Sequence, residues 1–192
     1  MQKLNQLLLS FFLLLSFNIS GQEFKLDPGH TLIAFNVERF MVGEVTGKFK
    51  SFEGSVKLEN EKISSADISI EVASLDTDQE MRDGHLKGEI WLDAQNYDQI
   101  LFESSGVRSS GGQLWLDGNL TIKGITNQVS FPFEMKGPFR DPTGAMTIGL
   151  TGDLEINRQD YGITFSKTMD NGELFIGNTV RIRIRALGLQ AK

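Results

Sequence analysis

The sequence has no cysteine and only two histidines and four prolines in 192 residues, and its basic side chains are outnumbered by acidic ones, 19 against 25. Without cysteine there are no disulfides, so even in an oxidising compartment the fold must rest on hydrophobic burial and backbone hydrogen bonds. A lipid-anchored lipoprotein, which needs a cysteine at its new N-terminus, is excluded as well. His30 and His85 lack metal-ligand neighbours at short spacing apart from Asp83, and no HxH or HExxH pattern occurs, so no metal site is expected. Phosphate-binding glycine loops, GxGxxG fingerprints and GxSxG elbows are missing too. The formal charge of −6 argues against nucleic acid, and against an anionic membrane surface, as the main partner.

What is present is a large apolar inventory: 40% hydrophobic residues, 14 of the side chains phenylalanine, enough for the core of one domain. The N-terminus stands apart. Lys3 precedes the run Leu7 to Phe17, and the small residues Ser20 and Gly21 come before the charged Glu23-Phe24-Lys25. Residues 1–21 thus have the charge, length and cleavage chemistry of a secretory signal peptide, and the run is too short to cross a bilayer as a helix. The expected mature domain, residues 22–192, is soluble, periplasmic or secreted, and without a transmembrane anchor. Removing Lys3 leaves it with 18 basic and 25 acidic residues, a charge of −7.

Beyond residue 30 the dominant signal is alternation of apolar and polar residues. Ile33-Ala34-Phe35-Asn36-Val37-Glu38, Ile68/Ile70/Val72, Leu114/Leu116/Leu120/Ile122, Val129/Phe131/Phe133/Met135 and Met146/Ile148/Leu150/Leu154/Ile156 each place one face inside and one in water. Val180-Arg181-Ile182-Arg183-Ile184-Arg185 puts three arginines on one face. Turn signals separate the runs: Asp27-Pro28-Gly29, Glu59 to Lys62, Ser109 to Gly112, Gly124 to Asn127, Asp141 to Gly144 and Asn171-Gly172. The pattern predicts an all-β antiparallel barrel of about eight strands, closure being the usual way to remove exposed edges. One segment departs from it. Thr77 to Leu92 has Met81, Leu86 and Ile90 near helical spacing, weakened by Gly84 and Gly88, and predicts a short irregular helix capping one end of the barrel.

Three features have both a functional and a structural reading. Asp83-Gly84-His85 could orient an imidazole for general-base work, or form a network that fixes the irregular helix, which is the favoured reading. The arginines 181, 183 and 185 could meet a partner, but a solvated strand face that discourages edge pairing accounts for them more simply. The inward phenylalanines either fill a small barrel or line a tunnel, and periodicity does not distinguish the two. A tunnel for hydrocarbon needs no polar motif, since each buried CH₂ contributes ~0.8 kcal/mol.

Several ordered blocks together resemble the exported YceI-like proteins. They are Phe35-x-Val37, Gly47-x-Phe49-x-x-Phe52-x-Gly54, Arg82-Asp83-x-His85-Leu86, Trp91-Leu92-Asp93 with Tyr97 and Phe102, Leu116-x-Gly118-x-Leu120-Thr121-Ile122-x-Gly124-Ile125-Thr126, Asn157-Arg158-x-Asp160-Tyr161-Gly162-Ile163 and Val180-x-Ile182-x-Ile184. The resemblance implies a lipocalin-like barrel whose apolar tunnel holds a polyisoprenoid or another long-chain amphiphile. It implies periplasmic or secreted binding proteins, often homodimeric, with proposed roles in isoprenoid-quinone handling, transport or stress response, and no established enzymatic mechanism. Two departures stand out: Arg39 where many members carry histidine, and Tyr97-Asp98 where many have Tyr-Pro.

The expectation is therefore a carrier that binds a long-chain isoprenoid or amphiphilic lipid without reacting it and without a cofactor. Strand alternation and size nominate Phe35, Val37, Phe52, Ile68, Ile70, Phe102, Leu120, Ile122, Phe131, Phe133, Ile148 and Leu150 as tunnel lining. Arg39, Asp83, His85 and Arg158 are the polar candidates for a head group or a structural role. The rivals are an enzyme at the barrel mouth using Asp83 and His85, with Arg158, and a filled barrel acting through its outer surface.

Overall fold

The computed structural model describes residues 21–170 and 172–191. The expected signal peptide, apart from Gly21, and Asn171 of the expected Asn171-Gly172 turn lie outside the described residues.

The first three walls of the barrel are each made of two strand segments with a bend between them. β1 (Gln22–Leu26) and β2 (Leu32–Arg39) form the first, β3 (Gly43–Phe49) and β4 (Phe52–Glu59) the second, β5 (Lys62–Glu71) and β6 (Leu75–Asp76) the third. Each half keeps its neighbours across the bend: β1 pairs with β4 and β2 with β3, while β4 pairs with β5 and β3 with β6. Five unbroken strands follow, β7 (Gln99–Ser110), β8 (Gln113–Ile122), β9 (Ile125–Arg140), β10 (Met146–Asn157) and β11 (Ile176–Gln190). β11 closes the circle, pairing along one edge with β2 as far as Arg185 and with β1 from Gly188. The result is a closed, eight-walled antiparallel barrel in which sequence neighbours are spatial neighbours.

Local chemistry sets the bends. Pro28 offers no backbone donor, and the Asp27 carboxylate accepts a 2.9 Å bond from Gly29 N, which caps a single 3₁₀ turn over Pro28–His30. At the other two bends the breaks are stitched to each other, since Lys50 N donates to Ser74 O and Glu71 N to Ser51 O. Hairpins are tighter. Asn60-Glu61, Gly111-Gly112 and Lys123-Gly124 all have positive φ at both loop positions, the geometry whose twist matches that of the strands it joins. The turn expected over Gly124 to Asn127 is therefore one residue earlier and shorter, and Ile125 already begins β9.

The expected helix is α1 (Glu80–Lys87), shorter than the segment that predicted it. Gln79 caps its start by accepting from Arg82 N at 2.6 Å, and Glu80 and Asp83 in the first turn and His85 and Lys87 in the last complement the helix dipole. Gly88 ends it. The helix and the turns that follow it connect β6 to β7 at the end of the barrel where the β2–β3 and β8–β9 hairpins also turn. The opposite end is packed shut. Phe24, Leu58 and Ile148 are among the most completely buried large side chains. Gly188, opposite Ile148, permits this: a Cβ there would lie 2.9 Å from Ile148 Cγ1 and 3.1 Å from Phe24 Cβ.

Candidate functional site

The inward rows of the walls do not meet at the barrel axis. They enclose a cavity of about 890 Å³, near the upper end of the roughly 300–1,000 Å³ typical of small-molecule sites. The filled-barrel alternative does not describe this interior. Phe35, Val37, Ile68, Ile70, Phe102, Leu120, Ile122, Phe131, Phe133 and Leu150 all line the cavity, contributed by β2, β5, β7, β8, β9 and β10. An unfilled apolar space forfeits the dispersion contacts its lining would make with hydrocarbon, so the walls favour an apolar occupant.

Two of the nominated lining residues lie elsewhere. Ile148 is on an inward position but belongs to the packed end with Phe24, beneath the cavity floor. Phe52 is buried where β4 resumes after its bend, and at that level its register neighbours Ile70 and Ile100 form the cavity surface instead. Alternation reports which face a side chain occupies, not its height in the barrel.

The cavity opens at the α1 end, where its lining includes the exposed Met81, His85 and Ile90. Beside this mouth the tip of the β2–β3 hairpin holds Phe40, Met41 and Val42 in water, Val42 at 93% exposure. Phe40 and Met41 have φ of 54° and 62°, a region that large side chains seldom adopt and that costs of order 1–3 kcal/mol per residue. Trp91, Phe165 and Phe175 also line the upper cavity, Trp91 and Phe165 with ring centroids 5.2 Å apart. None of the three sits on an alternating strand, so no periodic signal could nominate them.

The polar candidates divide. Asp83 does not line the cavity, and its Oδ1 accepts bonds from Thr77 N at 2.9 Å and Thr77 Oγ1 at 2.5 Å. His85 is exposed and makes no hydrogen bond to Asp83. The expected carboxylate–imidazole pair is not formed, because Asp83 ties the first turn of α1 to Thr77, the residue that follows β6. Among the described residues no three histidine or acidic side chains converge as metal ligands.

Arg39 and Arg158 both line the cavity. Arg39 continues the inward row of β2 after Val37, and its guanidinium carbon lies 4.5 Å from the Phe40 ring centroid and 5.4 Å from that of Phe175. Arg158 is 3% exposed. It donates from Nε to Gly177 O at 3.0 Å, from Nη1 to Ile163 O at 2.6 Å and from Nη2 to Asn178 Oδ1 at 2.8 Å, with a longer contact of 3.5 Å to Ile176 O. Burial pushes its guanidinium below the usual arginine range, but at neutral pH it stays protonated. These bonds join the 3₁₀ turn Arg158–Tyr161 to the start of β11.

Comparison with known proteins agrees with this geometry. The UPF0312 protein of Staphylococcus aureus strain N315 is 32% identical over 166 residues, covering 85% of this chain and 95% of its own. The crystal structure of Burkholderia cenocepacia BcnA superposes with a TM-score of 0.73 at 27% identity, over 84% of this chain and 98% of that one. A polyisoprenoid binding domain from Saccharophagus degradans shares the fold at 14% identity, with a TM-score of 0.66 over 88% of this chain and 98% of its own. The profile of the YceI-like domain matches residues 24–187, essentially the whole barrel, and the chain belongs to that family.

Proposed function

We propose that this chain is an exported binding protein that sequesters or carries a polyisoprenoid, such as an isoprenoid quinone or polyprenyl chain, or another long-chain amphiphile. The observation that carries the reading is the apolar cavity, lined by side chains from all eleven strands and opening beside α1. Its mechanism is burial: a five-carbon isoprene unit taken out of water gains roughly 3–4 kcal/mol before ordering costs. The isoprenoid class is supported by the binding described for the Saccharophagus domain of the same fold. Export to the periplasm or the medium rests on residues 1–21. Binding rather than turnover is supported by membership of the YceI-like family and by the polyisoprenoid binding domain that shares the fold.

The test is native mass spectrometry of the mature protein from its own envelope, followed by extraction and identification of the bound lipid. A stoichiometric long-chain amphiphile is expected. The double variant Phe131→Asp/Phe133→Asp, if folded by circular dichroism, should lose that lipid. Retention of lipid by the folded variant, or a protein that arrives empty and refuses added polyprenyl, quinone and fatty-amide ligands, would overturn the reading.

A further inference from the structure

A hydrocarbon chain does not need arginines, yet three of them line this cavity towards its mouth: Arg39, Arg82 and Arg158. Among the described residues none of the three forms an ion pair. Arg82 donates from Nε to Thr77 Oγ1 at 2.8 Å and from Nη2 to Thr77 O at 2.7 Å, and it reaches the Asp83 carboxylate only through that hydroxyl. Arg158 spends its bonds on neutral acceptors. Arg39 lies against two aromatic rings, and on one of them, Phe175, it is joined by Lys167, whose Nζ is 5.6 Å from the centroid.

The charges converge. Ile176 pairs with Arg39 in the sheet, Phe175 lies under Arg39, and Arg158 is bonded to Gly177 and Asn178. Cations from two elements therefore flank residues 175–178, and among the described residues Glu38 is the one acid that lines the cavity. This occurs in a chain whose formal charge is −6. Positive charge held near apolar walls is weakly screened, and it attracts an anion far more strongly than the same charge in open water.

Resting on the lipid-binding reading above, we propose that the ligand of this chain is a long-chain anion, its tail in the barrel and its phosphate or carboxylate at the mouth against Arg39 and Arg82, with Arg158 supplying positive charge behind them. An isoprenoid phosphate and a fatty acid share this chemistry. Guanidinium binds either one by charge-assisted, often bidentate, hydrogen bonds.

The experiment compares matched pairs at low salt by displacement of a fluorescent lipid: farnesyl phosphate against farnesol, and oleate against oleamide. The anion of at least one pair should bind 10-fold or more tighter than its neutral partner. That ratio should fall several-fold in raised salt and in the Arg39→Gln/Arg82→Gln variant, and remain in the outer-wall control Arg183→Gln. The preferred pair tells phosphate from carboxylate. Equal binding of anionic and neutral partners, or a ratio indifferent both to salt and to the double variant, overturns the proposal and leaves the lipid carrier standing. Failure of all four ligands to bind overturns the carrier itself. Should the double variant not fold, the salt dependence of the wild-type ratio decides.

Discussion

Arginine is used in two ways in this molecule. On the outer wall Arg181, Arg183 and Arg185 face acids of the neighbouring strand across the β10–β11 register, with Arg181 Nε 2.9 Å from Glu155 and Arg185 Nη2 3.0 Å from Asp153. Arg183 is 3.8 Å from the same Asp153. These pairs are wet. β11 is paired along both edges, so the row does not protect an open edge as its alternation suggested. At the mouth Arg158 has no carboxylate and almost no water, and its charge is met by backbone carbonyls and one amide. The lesson is that an arginine's contribution follows from what replaces its water, not from how many opposite charges lie nearby.

The contrast is open to measurement. Replacing Arg158 by methionine should have the largest effect, because it strips donors from Ile163 O, Gly177 O and Asn178 Oδ1 where water is scarce. A loss of roughly 2–4 kcal/mol in urea unfolding is expected, and a loss below about 1 kcal/mol would place this arginine with the surface ones. Asp153→Ala, which deprives both Arg183 and Arg185 of their shared partner, should cost under about 1 kcal/mol by the same assay, and less again at high salt. A loss as large as that of Arg158→Met would erase the distinction.

The smallest effect is in the acid limb of stability. Asp76 is held below its ordinary 3.8 by its bond to Lys50 and a backbone bond from Asp78, and Asp117 is lowered by Ser130 and by Arg108. Carboxylates with folded pKa values below the unfolded one add stability that is complete above that unfolded value and is lost as pH falls through the folded one. The urea midpoint should therefore be level above about pH 5 and decline below about pH 4, with Asp76→Asn shallowing the decline. Arg158, whose bonds go to carbonyls and one amide, should be indifferent to this limb. A midpoint that rises on acidification would contradict the assignment.

Much of this was legible in the sequence wherever a strand ran unbroken. The alternation in β8, β10 and β11 located the walls and the inward rows, and Arg39 stands on the inner face because it continues Ile33, Phe35 and Val37. The first walls were less legible. Gln22–Leu26 and Gly43–Phe49 are too short and too polar to announce strands by period alone, and they acquire their partners only through bends whose hydrogen bonds lie far apart in sequence, such as Lys50 to Ser74. Trp91, Phe165 and Phe175 entered the site from turns. Asp83 and His85, adjacent enough in sequence to suggest a working pair, were separated by the claim of Thr77 on the carboxylate.

The packed end formed by Phe24, Leu58 and Ile148 makes the cavity a blind tube, and a blind tube is a ruler. A chain that fits threads in tail first and stops at the floor. Any carbon beyond that depth stays outside, where each further isoprene unit forgoes roughly 3–4 kcal/mol of burial. Affinity should therefore climb with tail length and then level off at the length the barrel can swallow, and shaving the floor with Ile148→Ala should move that plateau to a longer chain.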